Sequence, residues 1–314
     1  MKQAYLKSRC SRLILTIGIC LISSLTYADN FLIVSNLHHG YHRDLADNIQ
    51  TKLLLDKHVV SNVSTDEFKP EALDQYDSVI TVGYKAAFLL FNKKTRTPVL
   101  SLLIPRQAFM QLESTVDKQY RHLFSVIYID QPIIRQLQLI RNLSNSFKTV
   151  GILFGKNSHE RKNKITEKIK QAGLAAKSIT VFNRTELISE TRFLSEESDI
   201  LLAVPDSSIY NKRSIKGILL TTYRKKIPVL GYSKAYVRAG ALAAVHSSPL
   251  DISRQALEIL NKNRVSNYAS ASRSFPQYFN IEINTKVAHS LNIKIADKNT
   301  ILNNMLEDRK NGQL

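Results

Sequence analysis

From Phe31 onward, short β-branched apolar runs alternate with stretches in which apolar residues recur every three or four positions. A run that is apolar at every position suits a strand covered on both faces. Its alternation with amphipathic helices is the pattern of βαβ units around a parallel sheet. Residues 31–34, 78–82 and 99–103 read as such strands, and between the first two Leu45, Ile49 and Leu53 mark one face of a helix.

A second series of the same kind begins near 149–153. A polar helix from about 158 to 171 follows it, and Gly173 is placed to stop that helix in a left-handed cap. The order echoes the first half. Residues 199–204 match 77–82 in character, and Ile227-Pro228-Val229-Leu230 matches Thr97-Pro98-Val99-Leu100. The pattern predicts two similar α/β lobes and three places where the chain crosses between them. The first is at 127–132, a strand running into a helix with Pro132 near its first turn. The second is at Ser247-Ser248-Pro249, ahead of a helix with Ile252, Ala256, Ile259 and Leu260 on one side. The third is at a final strand over 278–283. Residues 29–128 and about 249–277 would then form an N-terminal lobe, and 129–248 with about 278–314 a C-terminal lobe. Residues 266–274 are the most loop-like stretch.

The segment before Phe31 has a different character. Lys2, Lys7, Arg9 and Arg12 precede an apolar run over 13–25 that ends in Thr26-Tyr27-Ala28, the layout of a signal peptide cleaved after Ala28. A run of roughly 13 residues is shorter than the ~20 a helix needs to cross a bilayer. The expected location is therefore the periplasm, and no later stretch is long and apolar enough to span a membrane. Both cysteines, Cys10 and Cys20, fall within this segment, so the 286 residues after it hold neither a disulfide nor a thiolate metal site.

The formal charge is +18, and the four cations of the leader leave about +14 on the remainder. Runs such as Lys93-Lys94 and Arg224-Lys225-Lys226 are short and scattered, which fits a dispersed basic surface. No nucleic-acid-binding motif accompanies the charge.

Catalytic motifs fail on spacing. Gly155-Lys156-Asn157-Ser158 lacks the upstream glycine of a phosphate loop, His159-Glu160 lacks the second histidine of a zinc-protease helix, and in Gly231-Tyr232-Ser233-Lys234-Ala235 an alanine stands where a nucleophile elbow needs glycine. His38, His39 and His42 cluster after the first strand, where a polar cleft loop explains them more simply than a metal site. No catalytic residue and no cofactor or metal is expected. What remains is the binding logic of parallel sheets, in which ligands sit beyond the carboxyl ends of the strands. Those ends carry Ser35 and Asn36, then Gly83, Tyr84 and Lys85, then Pro105 and Arg106. In the second half they carry Asn157, then Asp206, Ser207 and Ser208, then Tyr232, Ser233 and Tyr236. The tyrosines can wall a ring or aliphatic body. Lys85 or Arg106 can hold a carboxylate, and Asp206 an ammonium.

Four segments, Pro205-Asp206-Ser207-Ser208-Ile209-Tyr210-Asn211, Ile227-Pro228-Val229-Leu230-Gly231-Tyr232-Ser233, Tyr236-Val237 with Gly240-Ala241-Leu242-Ala243, and Arg254-Gln255-Ala256, together resemble the ABC-transporter substrate-binding family that includes binders of aromatic amino acids. The closing Asn284, Val287-Ala288 and Leu291-Asn292-Ile293 are similar to its C-terminal segment. The resemblance implies a type I periplasmic-binding fold of two Rossmann-like lobes that close on a solute by hinge motion. It also implies ligand contacts from Asp206, Ser207 and Ser233. Ser253 departs from the glycine the family often carries, and tryptophan is absent. The expected role is capture of a small, amino-acid-like or aromatic solute by a monomeric protein that delivers it to an inner-membrane permease. The alternatives are a periplasmic sensor feeding a membrane signalling partner and, less favoured, a secreted α/β enzyme.

Overall fold

The computed structural model describes residues 28–91, 93 and 95–310. The first half runs β1 (Asn30–Ser35), α1 (Gly40–Leu55), β2 (Val59–Ser64), β3 (Ser78–Val82), α2 (Tyr84–Phe91), β4 (Val99–Ile104), α3 (Arg106–Ser114) and β5 (Phe124–Tyr128). The second runs α4 (Ile133–Leu143), β6 (Thr149–Phe154), α5 (Lys162–Gln171), β7 (Ala175–Thr180), α6 (Leu187–Glu196), β8 (Ile200–Leu202), α7 (Ile215–Arg224), β9 (Val229–Gly231), α8 (Lys234–Ala239) and β10 (Ala243–His246). It is followed by α9 (Pro249–Val265), β11 (Arg273–Ser274), β12 (Asn280–Ile283), α10 (Thr285–Ser290) and α11 (Lys298–Lys310).

These strands form two six-stranded sheets, ordered β11-β5-β4-β3-β1-β2 and β12-β10-β9-β8-β6-β7. Each repeats the 2-1-3-4-5 order of a doubly wound sheet, with the order reversing between β1 and β3 in one and between β6 and β8 in the other. Every neighbouring pair is parallel except β10 with β12.

The alternation of side chains along a strand feeds two cores per sheet. From β1, Phe31 and Ile33 pack with Leu45 and Ile49 of α1 and Ile252 of α9, while Leu32 and Val34 face Leu90 of α2 and Phe109 of α3. From β6, Val150, Ile152 and Phe154 join Leu139 of α4 and Met305 of α11, and Leu153 joins Leu194 of α6 and Ile218 of α7. Each fully buried side chain of this size stabilises the fold by roughly 1.5–3 kcal/mol.

The chain passes between the sheets at 129–132, 247–248 and 275–279. Polar groups tie the three passages together. The Gln131 side-chain amide donates to Ser247 Oγ at 2.9 Å, and that hydroxyl donates to the Tyr278 carbonyl at 2.6 Å. Arg135 donates to Gln131 Oε1 and to the Pro276 carbonyl, with its guanidinium 4.1 Å over the Phe279 ring. Ser248 begins α9 with a reciprocal capping box to Asp251, and Gly173 ends the α5 region at φ +76°.

The structure departs from the sequence expectation in three places. β2 and β7 are edge strands whose residues are mostly half exposed, so neither carries a continuous apolar run. β11 lies within the segment read as a loop, held by pairing with β5. The helix expected from 158 opens as a 3-10 turn, His159–Arg161, before α5 begins.

Among the described residues no helix is long and apolar enough to cross a membrane. The expected signal peptide lies outside the described residues, apart from Ala28.

Candidate functional site

Where strand order reverses, two neighbouring loops leave the sheet in opposite directions and open a crevice. In the first sheet these loops follow β1 and β3. The β1 loop turns on Asn36, whose side-chain oxygen accepts the His38 N–H at 3.1 Å and whose carbonyl accepts that of His39. It then sends the His42 ring onto Gly83. A Cβ at residue 83 would lie 2.5 Å from His42 Cε1, and the backbone there has φ +89°, so glycine is required twice over. Beneath this contact Ser35 is fully buried with no partner for its hydroxyl, and His42 Nδ1 is likewise unpaired. Burial holds the His42 imidazole below its ordinary pKa, helped by His39, whose ring lies 4.5 Å away.

Next along this edge, Tyr84 is 48% exposed and stacks on Phe88. The Lys85 ammonium is paired with Asp66 in solvent. Pro105 is the N-cap of α3. The Arg106 backbone N–H donates to Asp130 Oδ2 at 2.6 Å, and its guanidinium lies 6.0 Å from the Phe275 ring centre. Burial raises the Asp130 pKa, against the Arg106 N–H and the Arg161 guanidinium. Arg161 belongs to the other lobe, where it donates to the Pro205 carbonyl at 3.2 Å.

In the second sheet the loops after β6 and β8 are clasped by one carboxylate. Asp206 Oδ2 accepts from the Gly155 N–H (3.1 Å), the Asn157 N–H (3.2 Å) and Ser158 Oγ (2.6 Å). Its Oδ1 accepts from the N–H (2.8 Å) and the hydroxyl (2.6 Å) of Ser208. Burial pushes this carboxyl up in pKa, and the hydrogen bonds from Ser158, Ser208 and Asn157 outweigh it, so the net shift is downward. With the residue 3% exposed and five donors on two oxygens, no lone pair is left for a ligand ammonium. In this arrangement Asp206 positions the loops that carry Asn157 and Ser207. Those two do reach solvent, the Asn157 amide donating to Ser207 Oγ at 3.0 Å.

Beyond β9, Tyr232 and Tyr236 share a 2.8 Å hydroxyl contact with ring centres 4.4 Å apart, and Tyr210 packs edge-on against both. Burial raises the pKa of all three hydroxyls. Ser233 caps α8 without using its side chain. The second-sheet candidates fall into two bonded groups, Asn157 with Asp206, Ser207 and Ser208, and Tyr232 with Tyr236, whereas those of the first sheet are spread along its edge. Gln131, Asp130 and Ser247 were missed, although the strand-end rule applied to β5 and β10 points to them. Arg161 and Tyr41, whose hydroxyl donates to the Ser247 carbonyl at 2.6 Å, carry no local sequence signal. Among the described residues no group of three or more His, Cys, Asp or Glu side chains is arranged to hold a metal ion.

Residues 72–304 match the family described as ABC transporter substrate binding protein. The chain belongs to that family. Solved structures share the fold of this substrate-binding protein. The ligand-free, open structure of a substrate binding protein with adhesive properties from Clostridium difficile aligns with TM-score 0.67 and 16% identity, over 86% of this chain and 97% of that one. A Streptococcus pneumonia ABC domain in complex with L-Trp aligns with TM-score 0.58 and 19% identity, over 87% and 98%. A XylFII-LytSN complex mutant aligns with TM-score 0.54 and 12% identity, over 83% and 99%. Comparison with curated protein sequences returns no match.

Proposed function

We propose that this substrate-binding protein captures a small solute in the periplasm, between the two sheet edges, and presents it to an ABC-type permease in the inner membrane. One observation carries the reading. Each sheet's order reversal is held by packing or hydrogen bonds between its two loops, His42 on Gly83 in one and Asp206 across the β6 and β8 loops in the other, and Tyr84, Arg106, Asn157, Ser207, Tyr232, Ser233 and Tyr236 stand just beyond the strands of those sheets. Rigid loops of this kind bind without reorganising, and motion is left to the three crossings. Closure then follows from a solute that binds the closed arrangement better than the open one. No bond is made or broken, and the solute leaves unchanged.

Native mass spectrometry of the purified protein, followed by a thermal-shift screen, tests this directly. A bound solute that raises the melting temperature and reduces the radius of gyration in solution scattering is the expected result. Turnover of the bound solute, or binding with no change in shape, counts against it. A signalling role is the second reading, suggested by a structural neighbour recorded in complex with another protein. Uptake into vesicles carrying the permease separates the two.

A further inference from the structure

Beside the Asp206 clasp, towards the β7 edge, lies a cavity of about 260 Å³. It is smaller than the ~300–1,000 Å³ clefts that hold drug-sized ligands, so it accommodates a small molecule or one end of a larger one. Its apolar wall includes Leu187 and the ring of Phe182, which is left 58% exposed. Its polar groups are of one kind. The Asn211 amide donates one N–H to the Ser207 carbonyl and accepts the Arg213 N–H on its oxygen. Ser208 Oγ is likewise occupied, by Asp206 and the Lys156 N–H. The Ser207 hydroxyl accepts from Asn157 and keeps its proton to give. Lys156 and Arg184 line the same cavity, and neither side chain has a hydrogen-bond or ion-pair partner among the described residues. Among the described residues no acid is in ion-pair contact with either: Glu186 accepts from the Asn183 amide at 3.4 Å, and Asp206 already holds five donors.

We infer that this cavity seats an oxyanion, a carboxylate or phosphate carried on a small apolar body, and that the solute has no ammonium group. This rests on the solute-capture reading and names the class of solute. Two free cations and a free hydroxyl donor meet an anion in charge-assisted hydrogen bonds, while Phe182 and Leu187 cover its apolar part. An ammonium there would stand beside two uncompensated cations, and the buried Asp206 carboxylate already holds five donors.

Phenylalanine and 3-phenylpropionate differ only by the ammonium, and 3-phenylpropanol lacks both charges. Calorimetric titration of the purified protein with these three and with phenyl phosphate reads the inference. The two anions are expected to bind, at least about tenfold more tightly than phenylalanine or the alcohol. Replacing both cations (Lys156→Gln with Arg184→Gln) is expected to weaken the anions by about ten- to a hundredfold with an unchanged melting temperature, since both side chains are exposed. Raising the salt concentration weakens them as well. Phenylalanine binding as tightly as its deaminated analogue, anions indifferent to the double substitution, or no anion binding at millimolar concentration each overturns the assignment. If phenylalanine or the alcohol binds and contracts the protein, solute capture stands and only the anion is lost. If none of the four contracts it and native mass spectrometry finds no bound solute, both fall.

Discussion

Removing the Asp206 carboxylate tests whether that group is a clasp or a ligand contact. Asp206→Ala leaves the Asn157 N–H, Ser158 Oγ and both donors of Ser208 without their acceptor, and the Gly155 N–H with only its second acceptor, Ser158 Oγ. A buried donor left unpaired costs about 1–3 kcal/mol. Water entering the vacated space restores some of these bonds, so a net loss of about 3–5 kcal/mol is expected, the range seen when one partner of a buried charge network is removed. At about 2.1 cal/mol/K of unfolding entropy per residue, that lowers the melting temperature by roughly 5–8 °C. Circular dichroism on heating and in urea gives the number. The pH dependence gives a second. Because the folded carboxyl lies below its usual pKa, its contribution is complete above the unfolded value of about 3.9 and is lost as the pH falls through the lower folded value. The gap between wild type and variant should therefore narrow in acid. A variant that melts with the wild type at neutral pH and loses only solute affinity would refute the clasp.

Gly83→Ala should destabilise by about 1–3 kcal/mol, because it combines a positive φ with a collision at His42; adding His42→Ala should recover only the steric part in a double-mutant cycle. Ser247→Ala removes an acceptor from Gln131 and a donor to Tyr278, with an expected cost of about 1–2 kcal/mol and a broader spread of interlobe distances by spin-label spectroscopy. Asp130→Asn should hold or raise the melting temperature at neutral pH, because burial raises the carboxyl's pKa and so penalises its ionised form. The advantage should vanish in acid, where the wild-type group is also neutral, and a drop at neutral pH would show the charge to be needed.

The strands legible in the sequence are those covered on both faces. β1, β3, β4, β6 and β8 are apolar at nearly every position because helices lie above and below them. β2 and β7 were not legible, since an edge strand acquires its conformation from one neighbour's hydrogen bonds and leaves its side chains in water. The strand-end rule located Asn157, Ser207, Tyr232 and Tyr236 from order alone. It could not show that Lys85 already has an ion-pair partner in Asp66, nineteen positions away, or that Asp206 is enclosed.

Apolar patterning, which depends only on neighbours a few positions apart, therefore determined that this chain is two doubly wound halves with three passages between them. The roles of individual polar groups depend on partners brought together from distant positions, such as the 51-residue separation of Gly155 and Asp206 or the 206-residue separation of Tyr41 and Ser247. A hydrogen bond acts over about 3 Å, so only the folded chain decides which donors and acceptors are already matched and which remain open to a solute.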